Sequence, residues 1–255
     1  MSLPRLIGMV HLEPLPGSPG FGGSMSTVLE RASVDAGALV TAGFEGIMVE
    51  NFGDAPFYAD DVPKVTIAAM ARAVAEVAAA GLPTGVNVLR NDGLGALAVA
   101  GATDAAFIRI NVLSGMMYTD QGPIIGRAAD IARARRELCP DAAIIADVFV
   151  KHATPPAGLE LVDATNDLVE RAGADAVVVS GAGTGSATSL ADLQTVAEHS
   201  HLPVYVGSGA TAATIAEILS IGDGAIVGSD TKIDGIATNP VDPERAVAVV
   251  RAASR

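Results

Sequence analysis

The chain has 255 residues, of which 50% are hydrophobic, so it can bury a large core, and intrinsic disorder is not expected. Its 29 acidic residues outnumber 16 basic ones and give a net charge of −13, which disfavours binding to nucleic acid or to an anionic membrane surface. An anionic ligand would therefore need a binding site with local positive charge.

The cysteine content and the apolar runs indicate a soluble protein in a reducing compartment. Cys139 is the single cysteine and has no partner for an internal disulfide. The first apolar run, residues 6–12, is too short for a signal peptide. No later run approaches the roughly twenty uncharged apolar residues of a membrane-spanning helix. We therefore expect a cytoplasmic protein with no integral membrane segment.

Short β-rich runs alternate with helix-like segments along the chain. The predicted strands are residues 5–11, 46–50, 84–89, 106–111, 143–149, 176–180, 204–207 and 224–228. The predicted helices include residues 26–42, 63–80, 124–138, 159–172 and 189–200. This alternation is typical of a parallel sheet with helices on its faces. Eight units in this length favour an α/β fold with a single closed (β/α)8 barrel, a TIM barrel, as one domain over residues 1–255.

The segment after the first predicted strand, residues 13–26, has an unusual composition. Pro14, Pro16 and Pro19 stand among four glycines, which rules out regular secondary structure. A loop of this length inside a compact domain is usually functional. We expect it to form a long ordered loop over the barrel mouth.

Polar residues lie at or just beyond the ends of the first three predicted strands, where a parallel barrel places its active site. They include candidate substrate ligands on three successive strands: His11, Asn51, Asn87 and Arg90. Glu50 ends the second strand, and with Asp147 it would form an acid/base pair or a divalent-metal site. No metal-binding motif is present. A divalent metal is left open, and no other cofactor is indicated.

Arg109 and Asn111 lie two residues apart on the fourth predicted strand and therefore share a face. If the intervening isoleucines pack against helices, Arg109 points into the barrel. A buried arginine needs an anionic partner, and Glu50, Asp147 or a ligand would serve. Arg109 and Asn111 are thus candidates for substrate binding, with an internal arginine–carboxylate pair as the structural alternative.

Asp147 interrupts an apolar strand and would be costly to bury without a partner. It is a candidate general base, metal ligand or orienter of Arg109 or Lys151. Lys151 would form a Schiff base or bind phosphate, and His152 would transfer protons near neutral pH. The catalytic candidates are therefore Glu50, Asp147, Lys151 and His152, although Lys151 and His152 would also suit a solvated loop.

Glycine and serine end each of the last three predicted strands. Backbone N–H groups unobstructed by side chains bind anions without requiring net positive charge. The loops after the seventh and eighth strands are the usual phosphate site of such barrels. The candidate phosphate ligands are Ser180, Gly181, Gly183, Gly207, Ser208, Gly209, Gly228 and Ser229.

The residues from Gly207 to Ala212 also satisfy a loose G-x-G-x-x-A dinucleotide fingerprint, and Asp230 lies about twenty residues on. That pattern would indicate a nucleotide-cofactor-binding α/β protein. Such fingerprints normally open a unit with several strands to follow, whereas only one predicted strand remains here. The barrel is therefore the favoured interpretation.

Several segments together resemble the BtpA family over nearly the whole chain. They are residues 8–19 (GMVHLEPLPGSP), 49–58 (VENFGDAPFY), 85–92 (GVNVLRND), 108–115 (IRINVLSG), 119–122 (TDQG), 146–152 (ADVFVKH) and 239–242 (NPVD). The resemblance implies a TIM barrel of the ribulose-phosphate-binding type. The family is named for photosystem I biogenesis, and its SgcQ-like members are described as nucleosidases or sugar-metabolism enzymes. Asp230 departs from the less acidic sequence expected there, and it would weaken a phosphate site if it pointed inward.

Two functions follow from these features. The first is an enzyme that acts on a phosphorylated sugar or nucleoside-type substrate by isomerisation, aldol-type cleavage or N-glycosidic hydrolysis. The second is a noncatalytic assembly or stability factor of the photosystem I biogenesis type. Charged residues at so many strand ends favour the enzyme. The alanine-rich, aromatic-poor helices would suit packing between subunits, so we expect a homo-oligomer.

Overall fold

The computed structural model describes residues 3–181 and 188–254. Within these residues, eight parallel strands close into a barrel, which confirms the predicted TIM barrel. Around the barrel they are β1 (Leu6–His11), β2 (Gly46–Glu50), β3 (Thr84–Asn87), β4 (Phe107–Ile110), β7 (Ala143–Asp147), β9 (Ala176–Val179), β10 (Val204–Val206) and β11 (Gly224–Val227). Strands β1 and β11 pair and complete the ring.

Helices follow the strands and cover the outside of the barrel. They are α1 (Met25–Ala42), α2 (Lys64–Ala78), α3 (Gly93–Thr103), α4 (Ala128–Leu138), α5 (Leu161–Asp167), α6 (Leu190–His199), α7 (Ile215–Ile221) and α8 (Pro243–Ala253). Helix α5 continues into a π-helical turn, Leu168–Ala172, and short 3-10 turns lie at Phe52–Asp54, Ser229–Thr231 and Ile233–Gly235. No helix in the described residues is long and apolar enough to cross a membrane.

The barrel interior is packed with apolar side chains below the mouth, and two glycines make room for its largest rings. A Cβ atom on Gly85 would lie 2.0 Å from the ring of Phe107, and one on Gly224 would lie 2.3 Å from the ring of Tyr205. The Tyr205 hydroxyl donates a hydrogen bond to the Pro4 carbonyl at the amino-terminal end of the barrel. The filled interior leaves the carboxyl-terminal mouth as the place for a ligand.

A small antiparallel sheet was not predicted from the sequence. Strands β5 (Met116–Thr119) and β6 (Gly122–Ile125) form a hairpin, and β8 (Ala153–Thr154) pairs with β5. Gly115 and Gly122 have φ of 66° and 93°, which suits the turns at this hairpin to glycine. The helix predicted at residues 124–138 therefore begins only at Ala128.

The segment between β1 and α1 lacks regular structure, as predicted from its prolines and glycines. Leu15 is fully buried, and its backbone N–H donates to Asp54 Oδ1 at 2.7 Å. Ser24 caps the start of α1 by accepting a hydrogen bond from the Thr27 N–H. The segment is therefore held against the loop that follows β2.

A buried ion pair ties helix α1 to the loop after β11. The Lys232 ammonium donates to Asp35 Oδ2 at 2.9 Å, and both side chains are at most 1% exposed. Asp35 Oδ1 accepts a further hydrogen bond from the Val241 N–H at 2.7 Å. The two residues are 197 positions apart, so this pair fixes the last barrel loop to the first helix.

Candidate functional site

A cavity of about 180 Å³ opens at the carboxyl-terminal mouth of the barrel. Residues from the ends of β1, β2, β4, β10 and β11 and from the loop after β7 line it. Those that bear on its chemistry are His11, Glu50, Arg109, Lys151, Gly207, Ser208, Gly209, Gly228, Ser229 and Asp230. Half of the residues predicted for the site, nine of eighteen, therefore line this one cavity.

Arg109 points into the barrel and forms a two-pronged ion pair with Asp147. Its Nε donates to Asp147 Oδ2 at 2.9 Å, and its Nη2 donates to Oδ1 at 2.7 Å. Burial alone would lower the pKa of Arg109, but the charge and hydrogen bonds of Asp147 more than offset it and raise the pKa above its ordinary value. The arginine is charged and rigidly held.

Asp147 is saturated with hydrogen bonds. In addition to Arg109, it accepts from the Ser180 hydroxyl at 2.8 Å and from Asn111 Nδ2 at 3.3 Å. The Asn87 amide donates to Asn111 Oδ1 and to the Arg109 carbonyl, both at 3.1 Å. Asp147 is thus better placed to fix Arg109 than to accept a proton. Neither Asn87 nor Asn111 lines the cavity, so contact with substrate through these residues stays a prediction.

Glu50 and His11 lie side by side because β1 and β2 pair at these residues. Glu50 Oε1 is 3.8 Å from His11 Nε2, beyond hydrogen-bonding distance. His11 Nδ1 donates to the Ala237 carbonyl at 2.9 Å, and the ring stacks on Phe52 at 4.7 Å between centroids. Desolvation, followed by the positive charge of Lys232, lowers the pKa of His11 to about 3. The ring is therefore neutral, and its contact with Glu50 is not an ion pair.

Glu50 and Lys151 are two charged residues that line the cavity. Glu50 is 3% exposed, yet within the described residues its carboxylate accepts no hydrogen bond. The Lys151 ammonium has neither a hydrogen bond nor an ion pair within 4.0 Å in the same part of the chain. Burial lowers the pKa of Lys151, and the charge of Glu50 partly opposes that shift. A ligand in the cavity would meet both groups.

Asn51, Arg90 and His152 lie beside the cavity rather than in its wall. Asn51 joins two loops, since its Oδ1 accepts from the Leu89 N–H at 2.7 Å and its Nδ2 donates to Asp54. Arg90 donates to the Lys151 carbonyl and so supports the loop after β7. His152 follows with φ of 57°, and burial lowers its pKa. Asn51 and Arg90 therefore hold neighbouring loops in position.

The loops after β10 and β11 form the opposite wall of the cavity. Gly207 is required because a Cβ atom there would lie 2.8 Å from both Arg109 Nη2 and Ser180 Oγ. The N–H groups of Ser208, Gly209 and Ser229 donate no hydrogen bond to any residue in ranges 3–181 and 188–254. Unpaired backbone donors facing a cavity suit an anion.

In the described part of the loop after β9, Ser180 and Gly181 hydrogen-bond to other residues of the protein. The Ser180 hydroxyl donates to Asp147 Oδ1, and the Gly181 N–H donates to Ser208 Oγ, both at 2.8 Å. Both groups therefore shape the neighbouring loops. Gly183, the remaining phosphate-ligand candidate from this loop, lies outside the described residues.

Asp230 lies in the cavity wall, but its charge is compensated. One carboxylate oxygen accepts from the Ala212 N–H at 2.8 Å, and the other pairs with Arg245 at 3.2 Å. Arg245 also donates to the Asp230 carbonyl at 2.9 Å. The repulsion that Asp230 would exert on an anion is thus reduced by a partner that sequence reasoning missed.

His11 is expected to make protein stability depend on pH. The unfolded chain titrates at this residue near pH 6.5, and the folded chain near 3, so the stabilising contribution is complete above pH 6.5 and is lost as pH falls towards 3. When the pH falls from 7 to 5.5, the free energy of unfolding of the His11→Gln variant should decrease by about 1 kcal/mol less than that of the unsubstituted protein. Urea unfolding at the two pH values measures this difference. His199→Gln, at an exposed position, should behave like the unsubstituted protein. Equal losses in all three would contradict a buried neutral His11.

Among the described residues, no three His, Cys, Asp or Glu side chains are grouped so that they could hold a metal ion. Three cations, Arg90, Arg109 and Lys151, instead lie with Glu50 and Asp147 at the mouth. This cluster supplies local positive charge in a chain whose net charge is −13.

The chain is similar to proteins from archaea, bacteria and animals. An uncharacterized protein of Thermococcus kodakarensis is 48% identical over 250 residues, covering 97% of this chain and 94% of the relative. The photosystem I biogenesis protein BtpA of Synechocystis is 44% identical, covering 97% and 87%. An uncharacterized mitochondrial protein of Caenorhabditis elegans is 31% identical, covering 96% and 91%.

Solved structures share the fold at low sequence identity. The thiamine phosphate pyrophosphorylase of Pyrococcus furiosus has a TM-score of 0.60 and 16% identity, covering 98% of this chain and 95% of that one. A 3-hexulose-6-phosphate synthase has a TM-score of 0.61 and 14% identity, covering 97% and 99%. The sequence model of the BtpA family matches residues 3–255.

Proposed function

The chain belongs to the BtpA family, and we propose that it is an enzyme that acts on a phosphorylated sugar or nucleoside-type molecule at the barrel mouth. One observation carries the proposal. The buried Glu50 carboxylate and the Lys151 amine share a cavity with the unpaired amides after β10 and β11, and within the described residues neither side chain has a hydrogen-bond partner.

In this proposal the phosphate lies against the loops after β10 and β11. The N–H groups of Ser208, Gly209 and Ser229 would donate to its oxygens, and the Ser229 hydroxyl would add a donor. Two proteins of the same fold are named for phosphate-bearing molecules, thiamine phosphate and hexulose 6-phosphate. Their names support a phosphate in this barrel, and the unpaired amides support its position.

The reacting part of the substrate would face the opposite wall. Glu50 is the proposed proton acceptor, because it is a buried carboxylate of the cavity that accepts no hydrogen bond from residues 3–181 or 188–254. Lys151, whose pKa burial lowers, would donate a proton or attack a carbonyl carbon as a free amine. Arg109, fixed by Asp147, would orient a substrate oxygen. Isomerisation, aldol-type cleavage and N-glycosidic hydrolysis all use such a set of groups.

The phosphate position is tested by adding a carboxylate to it. Ser229→Asp should weaken binding of ribose 5-phosphate and inorganic phosphate at least about tenfold in calorimetric titrations, because like charges would meet in a partly buried site. Ser220→Asp adds the same charge at an exposed position on α7 and should leave both affinities unchanged. Equal affinities for both variants and the unsubstituted protein would reject this phosphate site.

The Synechocystis relative, named for photosystem I biogenesis, supports a second candidate function. A noncatalytic assembly factor would use the outer face of the barrel, and its activity would survive loss of the charged mouth. If no phosphorylated ligand binds and Ser229→Asp has no effect, this second function becomes the better proposal.

A further inference from the structure

A second cavity, of about 380 Å³, adjoins the first at the barrel mouth. The two cavities share Glu50 and Lys151 in their linings. The second extends from these residues away from the loops after β10 and β11, towards the loop after β2 and the tip of the β5–β6 hairpin. A ligand longer than a phosphosugar would therefore pass between Glu50 and Lys151 and enter it.

Part of the lining of the second cavity is aromatic and apolar. Phe52 and Phe57, both partly exposed, line it together with Leu89. The chain is otherwise poor in aromatic residues, with six phenylalanines, three tyrosines and no tryptophan. Phe52 is held in place by stacking on His11. Rigid phenyl faces beside the reactive groups suit a flat ring better than a second phosphate or a polar chain.

The rest of the lining of the second cavity is polar. Arg90, which is buried, supplies guanidinium donors from the loop after β3, and Asp120, at the tip of the β5–β6 hairpin, supplies carboxylate acceptors. His152 also lines the cavity. Donors and acceptors around an apolar wall are what recognise the edge of a heterocyclic base, because ring nitrogens and exocyclic groups need both.

We propose that this second cavity, the ring subsite (Phe52, Phe57, Leu89, Arg90, Asp120 and His152), binds a planar nitrogen heterocycle that is joined through a sugar to the phosphate in the first cavity. The ligand class is then a nucleoside monophosphate. This inference rests on the proposed function, because the phosphate must occupy the loops after β10 and β11. Glu50 and Lys151 would lie at the junction between ring and sugar.

The ring subsite is tested by comparing ligands with and without the ring. In calorimetric titrations with AMP, GMP, CMP, UMP and ribose 5-phosphate, at least one nucleotide should bind about tenfold more tightly than ribose 5-phosphate. Phe57→Leu keeps apolar bulk and removes the flat face, so it should abolish this advantage and leave ribose 5-phosphate affinity unchanged. Phe44→Leu, at a buried phenylalanine between α1 and β2, on the amino-terminal side of the barrel, is the matched control and should change neither affinity.

The outcomes separate the two proposals. The ring subsite is wrong if no nucleotide binds better than ribose 5-phosphate, or if Phe57→Leu preserves the tighter binding of the nucleotide. In either case, weaker binding of ribose 5-phosphate to Ser229→Asp would still support the proposed function. If none of the five ligands binds, both proposals fail. Thermal unfolding midpoints establish that each variant is folded, and Phe57→Met carries the comparison if Phe57→Leu is destabilised.

Discussion

Replacement of Asp147 by asparagine is expected to lower the free energy of unfolding by about 3–5 kcal/mol. The substitution keeps the shape of the side chain but removes the charge that balances Arg109, whose side chain is 2% exposed. The NH2 group of the asparagine would also face hydrogen-bond donors, either the guanidinium N–H groups or the Ser180 hydroxyl, and could not accept from them. Urea unfolding at neutral pH measures the effect, as a shift of the midpoint at constant slope.

Asp130→Asn provides the control for this prediction. Asp130 pairs with Arg127 on the surface at 3.1 Å, and its side chain is 58% exposed. Exposed ion pairs contribute little, so the control should change stability by less than about 1 kcal/mol. Similar losses for the two variants would mean that the Arg109–Asp147 pair is not the buried, fixed element that the proposed site requires.

Replacement of Glu50 by glutamine is expected to lower turnover of any phosphorylated substrate by about 10²–10⁴-fold. Glutamine fills the same space but cannot take up a proton at neutral pH. The proposed phosphate contacts lie on the opposite wall, so ligand affinity should change little. Single-turnover rates at saturating substrate, compared with calorimetric affinities for the same ligand, separate the chemical step from binding.

Glu30→Gln, at an exposed position on α1, is the matched control and should leave both quantities unchanged. Full turnover in Glu50→Gln would remove Glu50 from the chemistry and direct attention to Lys151. Loss of binding together with turnover would instead make Glu50 a substrate ligand, because a group that only transfers protons contributes mainly to the rate.

The positions of the barrel strands and of the site follow from local sequence patterns. Each apolar run ends in a polar or glycine residue, and in a parallel barrel all such ends meet at one face. The inward direction of Arg109 follows from its two flanking isoleucines. Gly207 shows the limit of this reasoning: the glycine is visible in the sequence, but its clash with Arg109 and Ser180 is visible only in the structure.

Other features depend on contacts between residues far apart in sequence. The sequence leaves the partner of Asp147 open between Arg109 and Lys151, because strand positions do not say which cation reaches the carboxylate. The residues next to Lys232 in the sequence do not indicate that it is buried, because its partner Asp35 lies on the first helix. The β5–β6 hairpin is short, and a helical reading of residues 124–138 competes with it.

The ion pair between Lys232 and Asp35 has a consequence for how the molecule folds. The His11–Ala237 hydrogen bond spans 226 positions and the ion pair spans 197, so neither can form until the last strand docks beside the first. Contacts of such long range are expensive in chain entropy and form late. One wall of the mouth comes from β1 and β2, and the other from β10 and β11. A chain whose ring has not closed therefore has no complete mouth, and a ligand that binds the mouth would selectively stabilise closed molecules.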